Sequence, residues 1–528
     1  MNVSFPPFVI WLLIFFVICF GALYLYVTAD YDHWKKRNIP QVPPLFPFGN
    51  MWSLVRGKES IMDFYLNTYR RFVGHRYMGL IMIKEPTLLI RDPGLIKQIL
   101  IKDFSQFHDR SFPVDEVNDP MSGNLFNLQG SRWHSLRNKL SPTFTSGKMK
   151  FMFSMVKACA EKLSAKTAEE SEEMGGSIEL KDFMSRYTTD VIGSAAFGVE
   201  AGSLDNPESE FRQIGRRVFA VTLANSFRNA LVVFAPNLSS KLGVKSADPV
   251  AESFFTRVVK ETVEYRDKNN VKRNDFLQLL LSLRVDAEKE GKLESSETDL
   301  TMEQLTAQCF VFFLGGFETS ATTLTFTLYE LSRNLDVQAK LREEVDRVLA
   351  EHGGEITYEA LSQMQYMDCV ISETLRKYPP VPVLLRECTK EWTVSSAEET
   401  ASDSQEWTRA TRGGGQVVAL GTKVHIPIIG LHYDPQYFED PERFDPERFT
   451  EEGKKRWHPF AYLPFGEGPR ICIGMRFGQM QTKCGLAALL SKFEFRPSSK
   501  TSDPLVFENF ALIPTVRDGL WLKPVKRS

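Results

Sequence analysis

The segment from Pro464 to Gly474, PFGEGPRICIG, surrounds a single cysteine with glycines and prolines. This composition favours a bent loop, and a helical run begins directly after it at Met475. A lone cysteine cannot build a structural zinc site, which needs four ligands in paired spacing. Taken alone, Cys472 is most simply a small buried hydrophobe. Its position before a helix N-terminus and near Arg470 instead predicts a lowered thiol pKa and a thiolate that binds metal.

A second candidate site lies in GGFETS, residues Gly315 to Ser320, within an apolar segment from Thr301 to Asn334. That segment has the pattern of a central buried helix. Two glycines cost about 1 kcal/mol each relative to alanine inside a helix, and a carboxylate such as Glu318 must be solvated or paired there. One interpretation is a Gly-Gly packing notch with Glu318 facing water. The other is a functional site built from Glu318 and Thr319.

An acid and a base stand three residues apart in ETLR, where Glu373 and Arg376 share one helix face. The same spacing occurs at other Glu and Arg pairs in this chain, so the pair by itself indicates nothing. Its position upstream of Cys472 is what selects it.

The cysteine loop resembles the haem-binding signature F-x-x-G-x-R-x-C-x-G of the cytochromes P-450. The matching residues are Phe465, Gly466, Gly468, Arg470, Cys472 and Gly474. The resemblance covers essentially the whole chain, and it implies haem b (iron protoporphyrin IX) as the cofactor. Cys472 is then the metal ligand, an axial thiolate whose electron donation favours cleavage of the O–O bond.

The resemblance also assigns roles to the other two motifs. GGFETS matches a family motif on the long central helix, where Thr319 is the hydroxyl and Glu318 the acid that deliver protons during oxygen activation. ETLR matches the family's E-x-x-R pair, which an arginine from a P-E-R-F segment completes. This sequence has two such segments, and we expect Arg448, nearer the haem loop, rather than Arg443 to complete a buried charge network with Glu373 and Arg376.

The family supplies basic partners for the two haem propionates, and this chain has candidates for that role. Trp133 and Arg137 match the W-x-x-x-R spacing of a helix that contacts a propionate. Arg386 and Arg470 occupy further propionate positions, and Arg110 is another candidate. A guanidinium suits a carboxylate because it binds in bidentate geometry.

Family topology predicts a substrate pocket that is mostly apolar and rich in aromatic side chains. The candidates are Phe126, Phe312, Phe317, Val383, Leu384 and Leu512. Such a pocket suits a lipophilic substrate oriented by few polar contacts. The alternative is that many of these phenylalanines belong to the plain hydrophobic core.

The elements that would position these residues are mainly helices, so we expect a mainly α fold with small β-sheets, the cytochrome P-450 fold. Alternating patterns predict few strands. They lie at Arg76 to Ile83, Pro86 to Ile90, Lys423 to Ile429 and Gly519 to Lys523. The segment Glu391 to Leu420 is longer than the hairpin that relatives carry.

The first 29 residues carry no charged side chain, and Phe8 to Val27 is apolar apart from Gly21. Twenty residues at about 1.5 Å each span about 30 Å, the thickness of a bilayer core. We interpret this as a retained signal anchor rather than a cleaved signal peptide or a buried core helix. The basic residues 35–37 place the following chain on the cytoplasmic side. The predicted domains are an anchor at 1–29, a basic and proline-rich hinge at 30–50, and a catalytic domain at 51–528.

Composition limits the partners and the compartment. The chain has 64 basic and 66 acidic residues, which gives no support for nucleic-acid binding. Seven cysteines without a C-x-x-C pair favour a reducing compartment. Because no flavin or dinucleotide motif is found, electrons must come from another protein. The resemblance implies an NADPH-dependent flavoprotein reductase, with cytochrome b5 as a further candidate. The resemblance implies the endoplasmic reticulum membrane, with the catalytic domain facing the cytosol.

The predicted function is a haem-thiolate monooxygenase that inserts one oxygen atom of O2 into a lipophilic small molecule. SPTFTSGK at Ser141 to Lys148 points to the arthropod, xenobiotic-metabolising branch of the family. The substrate is then a xenobiotic such as a plant toxin or insecticide, or else an endogenous lipid or hormone. The alternatives are an oxygen-independent haem isomerase and a non-catalytic haem sensor or carrier.

Overall fold

The computed structural model of the chain describes residues 6–234, 236–273, 275–289, 300–398 and 409–527. The chain divides into two compact units, and each is described by itself. The first comprises residues 1–107 and 383–427, and the second comprises residues 108–382 and 428–528. The prediction of a single catalytic domain at 51–528 stays a prediction.

The first unit combines short helices with two small sheets. Its helices are α1 (Pro7–Thr28), α2 (Trp52–Val55), α3 (Ile61–Arg70), α4 (Pro93–Lys97) and α17 (Arg409–Arg412), and its strands are β1 (Tyr77–Met82), β2 (Glu85–Ile90), β4 (Leu384–Glu387), β5 (Trp392–Thr393), β6 (Val417–Val418) and β7 (Lys423–Ile426). The larger sheet has the order β1-β2-β7-β4, in which only β2 and β7 run parallel. The second sheet is the antiparallel pair β5-β6.

Helix α1 is long and apolar enough to cross a bilayer, and the side chains of its most apolar window are exposed. The chain after it folds back onto strand β1. The indole N–H of Trp34 donates to the Leu80 carbonyl at 2.9 Å, and an added Cβ on Gly79 would lie 2.1 Å from the Trp34 ring. The predicted hinge at 30–50 is therefore fixed to the sheet of the first unit.

The long segment from Glu391 to Leu420 is anchored on buried Arg76. The Arg76 guanidinium pairs with Asp92 at 2.7 Å and donates to the Ser395 carbonyl at 2.7 Å, and the Arg76 backbone N–H donates to the Thr411 hydroxyl. Both ends of the segment are therefore fixed. Its residues 399–408 lie outside the described part of the chain.

The second unit is almost entirely helical. Its helices are α5 (Gly130–Leu140), α6 (Ser146–Glu173), α7 (Leu180–Ile192), α8 (Glu210–Phe219), α9 (Leu223–Phe234), α10 (Pro236–Lys241), α11 (Pro249–Asn269), α12 (Phe276–Lys289), α13 (Met302–Arg333), α14 (Leu335–Glu351), α15 (Tyr358–Gln363), α16 (Gln365–Lys377), α18 (Ile428–His432) and α19 (Met475–Leu490). Strands β3 (Ile178–Glu179), β8 (Phe493–Pro497) and β9 (Trp521–Lys526) form one antiparallel sheet in the order β3-β9-β8.

The predicted central helix is confirmed as α13, which packs against α7, α16 and α19. Thr301 and Gln304 form a capping box at its start, so two of the N–H groups that a helix end leaves open are satisfied. Threonine hydroxyls along its buried length donate to the carbonyl four residues earlier, as Thr325 does to Ala321 at 2.7 Å. These bonds allow a polar, β-branched run to remain in a buried helix.

The mainly α fold with small sheets is confirmed, and the strand predictions hold with changed ends for two of the strands. The predicted strand at Lys423 to Ile429 stops at Ile426, because α18 begins at Ile428. The last strand is shifted to Trp521–Lys526, where it pairs with β8 and β3.

Candidate active site

The cysteine loop is closed by backbone hydrogen bonds and ends where α19 begins. The backbone N–H of Cys472 donates to the Phe465 carbonyl at 2.9 Å. Gly466 and Gly468 have φ angles of 71° and 75°, a conformation that side chains disfavour, so these two positions require glycine. Gly474 is the N-cap of α19. The loop thus holds Cys472 just before a helix N-terminus, as the sequence predicted.

The Cys472 side chain is exposed, but its protein surroundings oppose ionisation. Burial raises the pKa of the Cys472 thiol, while the Gly474 N–H and the charges of Arg110 and Arg137 lower it. The sequence prediction of a lowered pKa, caused by Arg470 and the helix terminus, was therefore wrong. Because its surroundings desolvate this exposed thiol, a metal ion rather than the protein would have to stabilise the thiolate.

Two guanidinium groups near this thiol have no acidic partner among the residues that the structure describes. Arg110 and Arg137 are half-buried, and both are close enough to the Cys472 sulfur to interact with it electrostatically. Burial lowers the pKa of Arg110 to about 10 and also lowers the pKa of Arg137. Within the described residues, neither guanidinium forms an ion pair with a carboxylate. Desolvated cations of this kind provide a site for an anionic ligand.

Arg470 holds the wall of this site together. Its guanidinium lies 4.1 Å from the centre of the buried Trp133 ring and donates to the Leu128 carbonyl at 2.6 Å. Arg110 donates to the Arg470 carbonyl at 3.2 Å and stacks over the Phe126 ring at 4.1 Å. The predicted residues Arg110, Phe126, Trp133 and Arg470 therefore form one contiguous cluster.

The two glycines of GGFETS have different surroundings on α13. An added Cβ on Gly316 would lie 2.3 Å from the Ile192 side chain, so Gly316 is a packing notch against α7. Gly315 is exposed, and nothing lies within 4 Å of the corresponding position. The half-buried Thr319 lies one turn further on and donates to the Gly315 carbonyl at 2.5 Å. An otherwise buried helix thus has an open space beside Gly315 and Thr319.

Glu318 does not face water, as the packing-notch interpretation proposed. Its carboxylate is 5% exposed and pairs with the Lys181 ammonium at 2.7 Å. Lys181 also donates to the Thr322 hydroxyl at 2.5 Å. Sequence reasoning missed Lys181, because its position 137 residues before Glu318 carries no local signal. Glu318 also lines a cleft together with Phe219, Asn225 and Leu512.

Helix α19 is joined to α13 beside this open space. The Gln481 amide donates to the Gly316 carbonyl at 2.9 Å and also to the Ser320 hydroxyl. Gly478, one turn earlier, faces Ser320, and an added Cβ there would lie 3.8 Å from the Ser320 hydroxyl oxygen. Since α19 starts three residues after Cys472, these contacts fix the cysteine loop relative to the Gly315–Thr319 turn.

Glu373 and Arg376 form a fully buried bidentate pair on α16, with N–O distances of 2.7 and 2.8 Å. Arg448 approaches the same carboxylate at 3.5 Å, whereas the Arg443 side chain is exposed and only its carbonyl accepts from Arg376. Burial raises the pKa of Glu373, and the two arginines oppose that rise. Of the two P-E-R-F arginines, Arg448 is the one that contacts Glu373.

His432 links this charge network to the cysteine loop, and sequence reasoning missed it. Its Nδ1 lies 3.1 Å from the Arg376 carbonyl, and its Nε2 accepts from the Leu463 N–H at 3.1 Å. These contacts require a neutral ring with the proton on Nδ1. Burial lowers the pKa of His432 to about 3. The spacing of the sequence gave no signal for this residue.

The predicted pocket residues of the second unit occupy different surroundings. Phe126 and Leu512 are exposed, at 43% and 51%. Phe312 packs on Phe276, with ring centroids 4.0 Å apart. Phe317 is 1% exposed and stacks within an aromatic cluster that includes Phe313 and Phe219. The role of Phe312 and Phe317 as pocket residues stays a prediction.

Three predicted site residues belong to the first unit. Val383 immediately precedes β4, and Leu384 and Arg386 lie on that strand. Arg386 is 1% exposed, is opposite Val424 in the register of the sheet, and donates to the Leu385 carbonyl at 2.8 Å. Their predicted contacts with substrate and propionate stay predictions.

The residues of the second unit fit haem b. The group would need one thiolate at iron, cations for two propionates, and space on a buried helix above the ring. Cys472 provides an exposed sulfur, Arg110 and Arg137 provide desolvated cations without carboxylate partners, and Gly315 has an open side. These observations come from the structure and agree with the donor set that the sequence suggested.

Comparison with known proteins gives one consistent result. The family model "Cytochrome P450" matches residues 40–397 and 404–520. The chain is 40% identical to Probable cytochrome P450 6a14 of Drosophila melanogaster over 514 residues, which are 96% of this chain and 97% of that protein. It is 40% identical to Cytochrome P450 6A1 of Musca domestica over 505 residues, which are 95% of each chain.

The chain is also 38% identical to Cytochrome P450 6k1 of Blattella germanica over 517 residues, which are 96% of this chain and 95% of that protein. The predicted resemblance to the arthropod branch is thereby confirmed. With the family model and these relatives covering nearly the whole chain, the protein belongs to the cytochrome P450 family and is a haem b monooxygenase.

Proposed function

We propose that the protein inserts one oxygen atom of O2 into a lipophilic xenobiotic, such as a plant toxin or insecticide, with electrons from NADPH through a flavoprotein reductase. Cytochrome b5 is a second candidate electron donor, and an endogenous lipid or hormone is the other substrate class. The enzyme would work at the endoplasmic reticulum membrane on its cytosolic face, with α1 as the anchor. The observation that carries this proposal is the exposed Cys472 thiol beside the guanidinium groups of Arg110 and Arg137, which have no carboxylate partner within the described part of the chain.

Haem b, when bound, supplies the iron centre at which O2 is activated. Cys472 would be its thiolate ligand, and Arg110, Arg137 and Arg470 would hold its propionates. The Gly474 N–H donates to the Cys472 sulfur. This bond, together with the loop from Phe465, orients the sulfur.

Protons would reach the site through Thr319 and Glu318. The Thr319 hydroxyl donates to the Gly315 carbonyl, so its oxygen remains able to accept a hydrogen bond from water. The Glu318 carboxylate is held by Lys181. To pass a proton toward Thr319, Glu318 must leave this ion pair and rotate toward the open side of α13. Lys181 therefore controls how often the acid is available.

The substrate class is supported by the surroundings of the site. Exposed apolar side chains include Phe126, Phe510 and Leu512, and the cleft that Leu512 lines also contains Phe219. Such surfaces bind lipophilic molecules mainly through the removal of apolar area from water.

The first test compares Cys472→Ser with Cys369→Ser, a matched change at a half-buried cysteine on α16. The reduced, carbon monoxide-bound parent should show the strongly red-shifted Soret band of thiolate ligation. Cys472→Ser should lose it, and Cys369→Ser should keep it. A parent with an unshifted band would overturn the assignment of Cys472.

The second test incubates the haem-loaded chain with reductase, NADPH and a panel of plant toxins, insecticides and hormone-like lipids. Products that gain one oxygen atom from labelled O2 support the proposal. Product formation without O2 or NADPH would show an isomerase instead. Haem binding without turnover of any compound would favour a sensor or carrier.

A further inference from the structure

One buried carboxylate, that of Asp109, joins two separate parts of the candidate site. Asp109 is 8% exposed, and its Oδ1 accepts from the Gly130 N–H at 2.9 Å. The same oxygen lies 2.7 Å from Nδ1 of His108 and 3.6 Å from Nη2 of Arg470. Gly130 is the first residue of α5, the helix that carries Trp133, whereas Arg470 belongs to the cysteine loop. Asp109 therefore connects the start of α5 to that loop.

The guanidinium of Arg470 is completely buried and contacts both neutral groups and this carboxylate. Its side chain is 0% exposed. Nη1 donates to the Phe126 carbonyl at 3.3 Å, and Nη2 donates to the Leu128 carbonyl at 2.6 Å. The guanidinium also lies over the Trp133 ring. Asp109 adds a negative charge to these contacts. A carboxylate in this position both restricts the orientation of the guanidinium and offsets part of its charge.

The Asp109 carboxyl is ionised at neutral pH. Burial raises its pKa, but hydrogen bonds from His108 and from the Gly130 N–H, together with the charges of His108 and Arg470, lower it further than burial raises it. The pKa of Asp109 therefore lies below its ordinary value. A position beside the N-terminus of α5 also favours the anion. The negative charge is thus a permanent feature of the site.

This charge also acts on the neighbours of Arg470. Arg110 donates to the Arg470 carbonyl at 3.2 Å, and the charges of Arg110 and Arg137 act on the Cys472 sulfur. Asp109 is therefore a negative charge placed at a group of cations that would hold two propionates. In a desolvated interior such a charge acts over several ångströms. Net charge near a metal centre is one of the factors that set its reduction potential, and an added negative charge opposes the uptake of an electron.

We propose that Asp109 is a positioning residue for the haem, which holds Arg470 in place, offsets part of its charge, and thereby lowers the reduction potential of the bound haem and weakens the attraction of its propionates. This inference rests on the proposed binding of a propionate by Arg470. The ionised carboxylate would make the haem harder to reduce and so would limit electron transfer from the reductase. Asp109 acts through Arg470 rather than on the reacting atoms.

The test measures the reduction potential of the full haem-loaded chain by spectroelectrochemical titration. Asp109→Asn keeps an oxygen that can accept from the Gly130 N–H but removes the charge. We expect its reduction potential to be more positive than that of the parent. Transfer of haem to an excess of a haem-scavenging globin should be slower by about threefold, because a long ion pair contributes less than a short buried one. Asp109→Glu keeps the charge and should return the potential toward that of the parent.

Asp119→Asn is the matched control. Asp119 is also 8% exposed in the segment that precedes α5, and its carboxylate accepts from the Ser246 N–H at 2.7 Å. No ion pair joins Asp119 to an arginine within the described part of the chain, so the reduction potential of this variant should equal that of the parent.

The outcomes separate this inference from the proposed function. An unchanged potential in Asp109→Asn would overturn the inference. Faster loss of haem from this variant, or failure to take up haem, would also overturn it, because Asp109 would then have only a structural role. A parent whose reduced, carbon monoxide-bound form lacks the red-shifted Soret band would instead overturn the ligation by Cys472, and the inference with it.

Discussion

The Lys181 ammonium lies 2.7 Å from the Glu318 carboxylate, so the acid expected to deliver protons is held in an ion pair on the α7 side of α13. Glu318→Gln should lower coupled product formation on the order of a hundredfold, because positioned acids and bases contribute at least that much. Lys181→Met should keep coupling, since the carboxylate remains and is released. The coupling of both variants is measured as the amount of product formed per NADPH consumed. Equal losses in the two variants would mean that the pair acts only as a unit.

Thr319→Ala should retain haem and substrate binding but divert reducing equivalents to hydrogen peroxide, because the variant lacks the hydroxyl that accepts and passes a proton. Thr323 is a matched control, since its hydroxyl also donates to the carbonyl four residues earlier, that of Thr319, at 2.9 Å. Thr323→Ala should therefore remain coupled. The measurement is the ratio of hydrogen peroxide to product. Parent-like coupling in Thr319→Ala would remove its proposed role.

Arg137→Gln should weaken haem retention about tenfold or more, because a hydrogen bond to a charged group contributes about 1.5–3 kcal/mol. Arg132→Gln is the control on the same helix, since Arg132 already pairs with Glu116. Transfer of haem from each variant to an excess of a haem-scavenging globin gives the relative rates of loss. An unchanged rate for Arg137→Gln would show that this guanidinium does not hold a propionate.

Arg448→Gln should destabilise the folded chain by about 1–3 kcal/mol, because it removes a positive charge that faces the fully buried Glu373 carboxylate. Arg443→Gln should have little effect, since the Arg443 side chain is exposed and only its backbone contacts Arg376. Thermal unfolding of the two haem-loaded variants measures the difference. If Arg443→Gln lowered the unfolding temperature more than Arg448→Gln, Arg443 would be the arginine that completes the network with Glu373 and Arg376.

Two buried histidines should make the protein acid-sensitive. Burial lowers the pKa of His425 and of His432 to about 3, from the ordinary 6.5, so the unfolded chain binds more protons at mildly acid pH. Stability is then fully present above about pH 6.5 and falls as the pH decreases, by about 2 kcal/mol for each histidine at pH 5. Unfolding midpoints measured from pH 7.5 to 5 should show this slope. His432→Gln should have a lower unfolding midpoint at pH 7.5, and its midpoint should decrease less steeply toward pH 5. If neither this variant nor His425→Gln changes the slope, the two histidines are not the cause of the acid sensitivity.

Much of this protein was determined locally and could be predicted from its sequence. The two ends of α13 could be predicted because the apolar pattern begins near Thr301 and stops near Asn334. The structure adds a capping box at Thr301 that fixes the N-terminal end. The strands near residues 77–90 followed from alternation, and the family followed from the residues around Cys472. A stretch of apolar residues without charge sufficed to predict α1. Each of these signals depends on neighbours in the chain or on a fixed short spacing.

Other features depended on residues that meet only after folding. Lys181 binds Glu318, and His432 joins Arg376 to Leu463, across separations that carry no pattern in the sequence. The pKa of Cys472 was predicted with the wrong sign, because its helix terminus was visible in the sequence but the desolvation of its sulfur by the surrounding protein was not. Desolvation and long-range pairing depend on the packed surroundings of a group. The sequence therefore determined which chemistry the protein carries, and the tertiary structure decided how each reactive group is held.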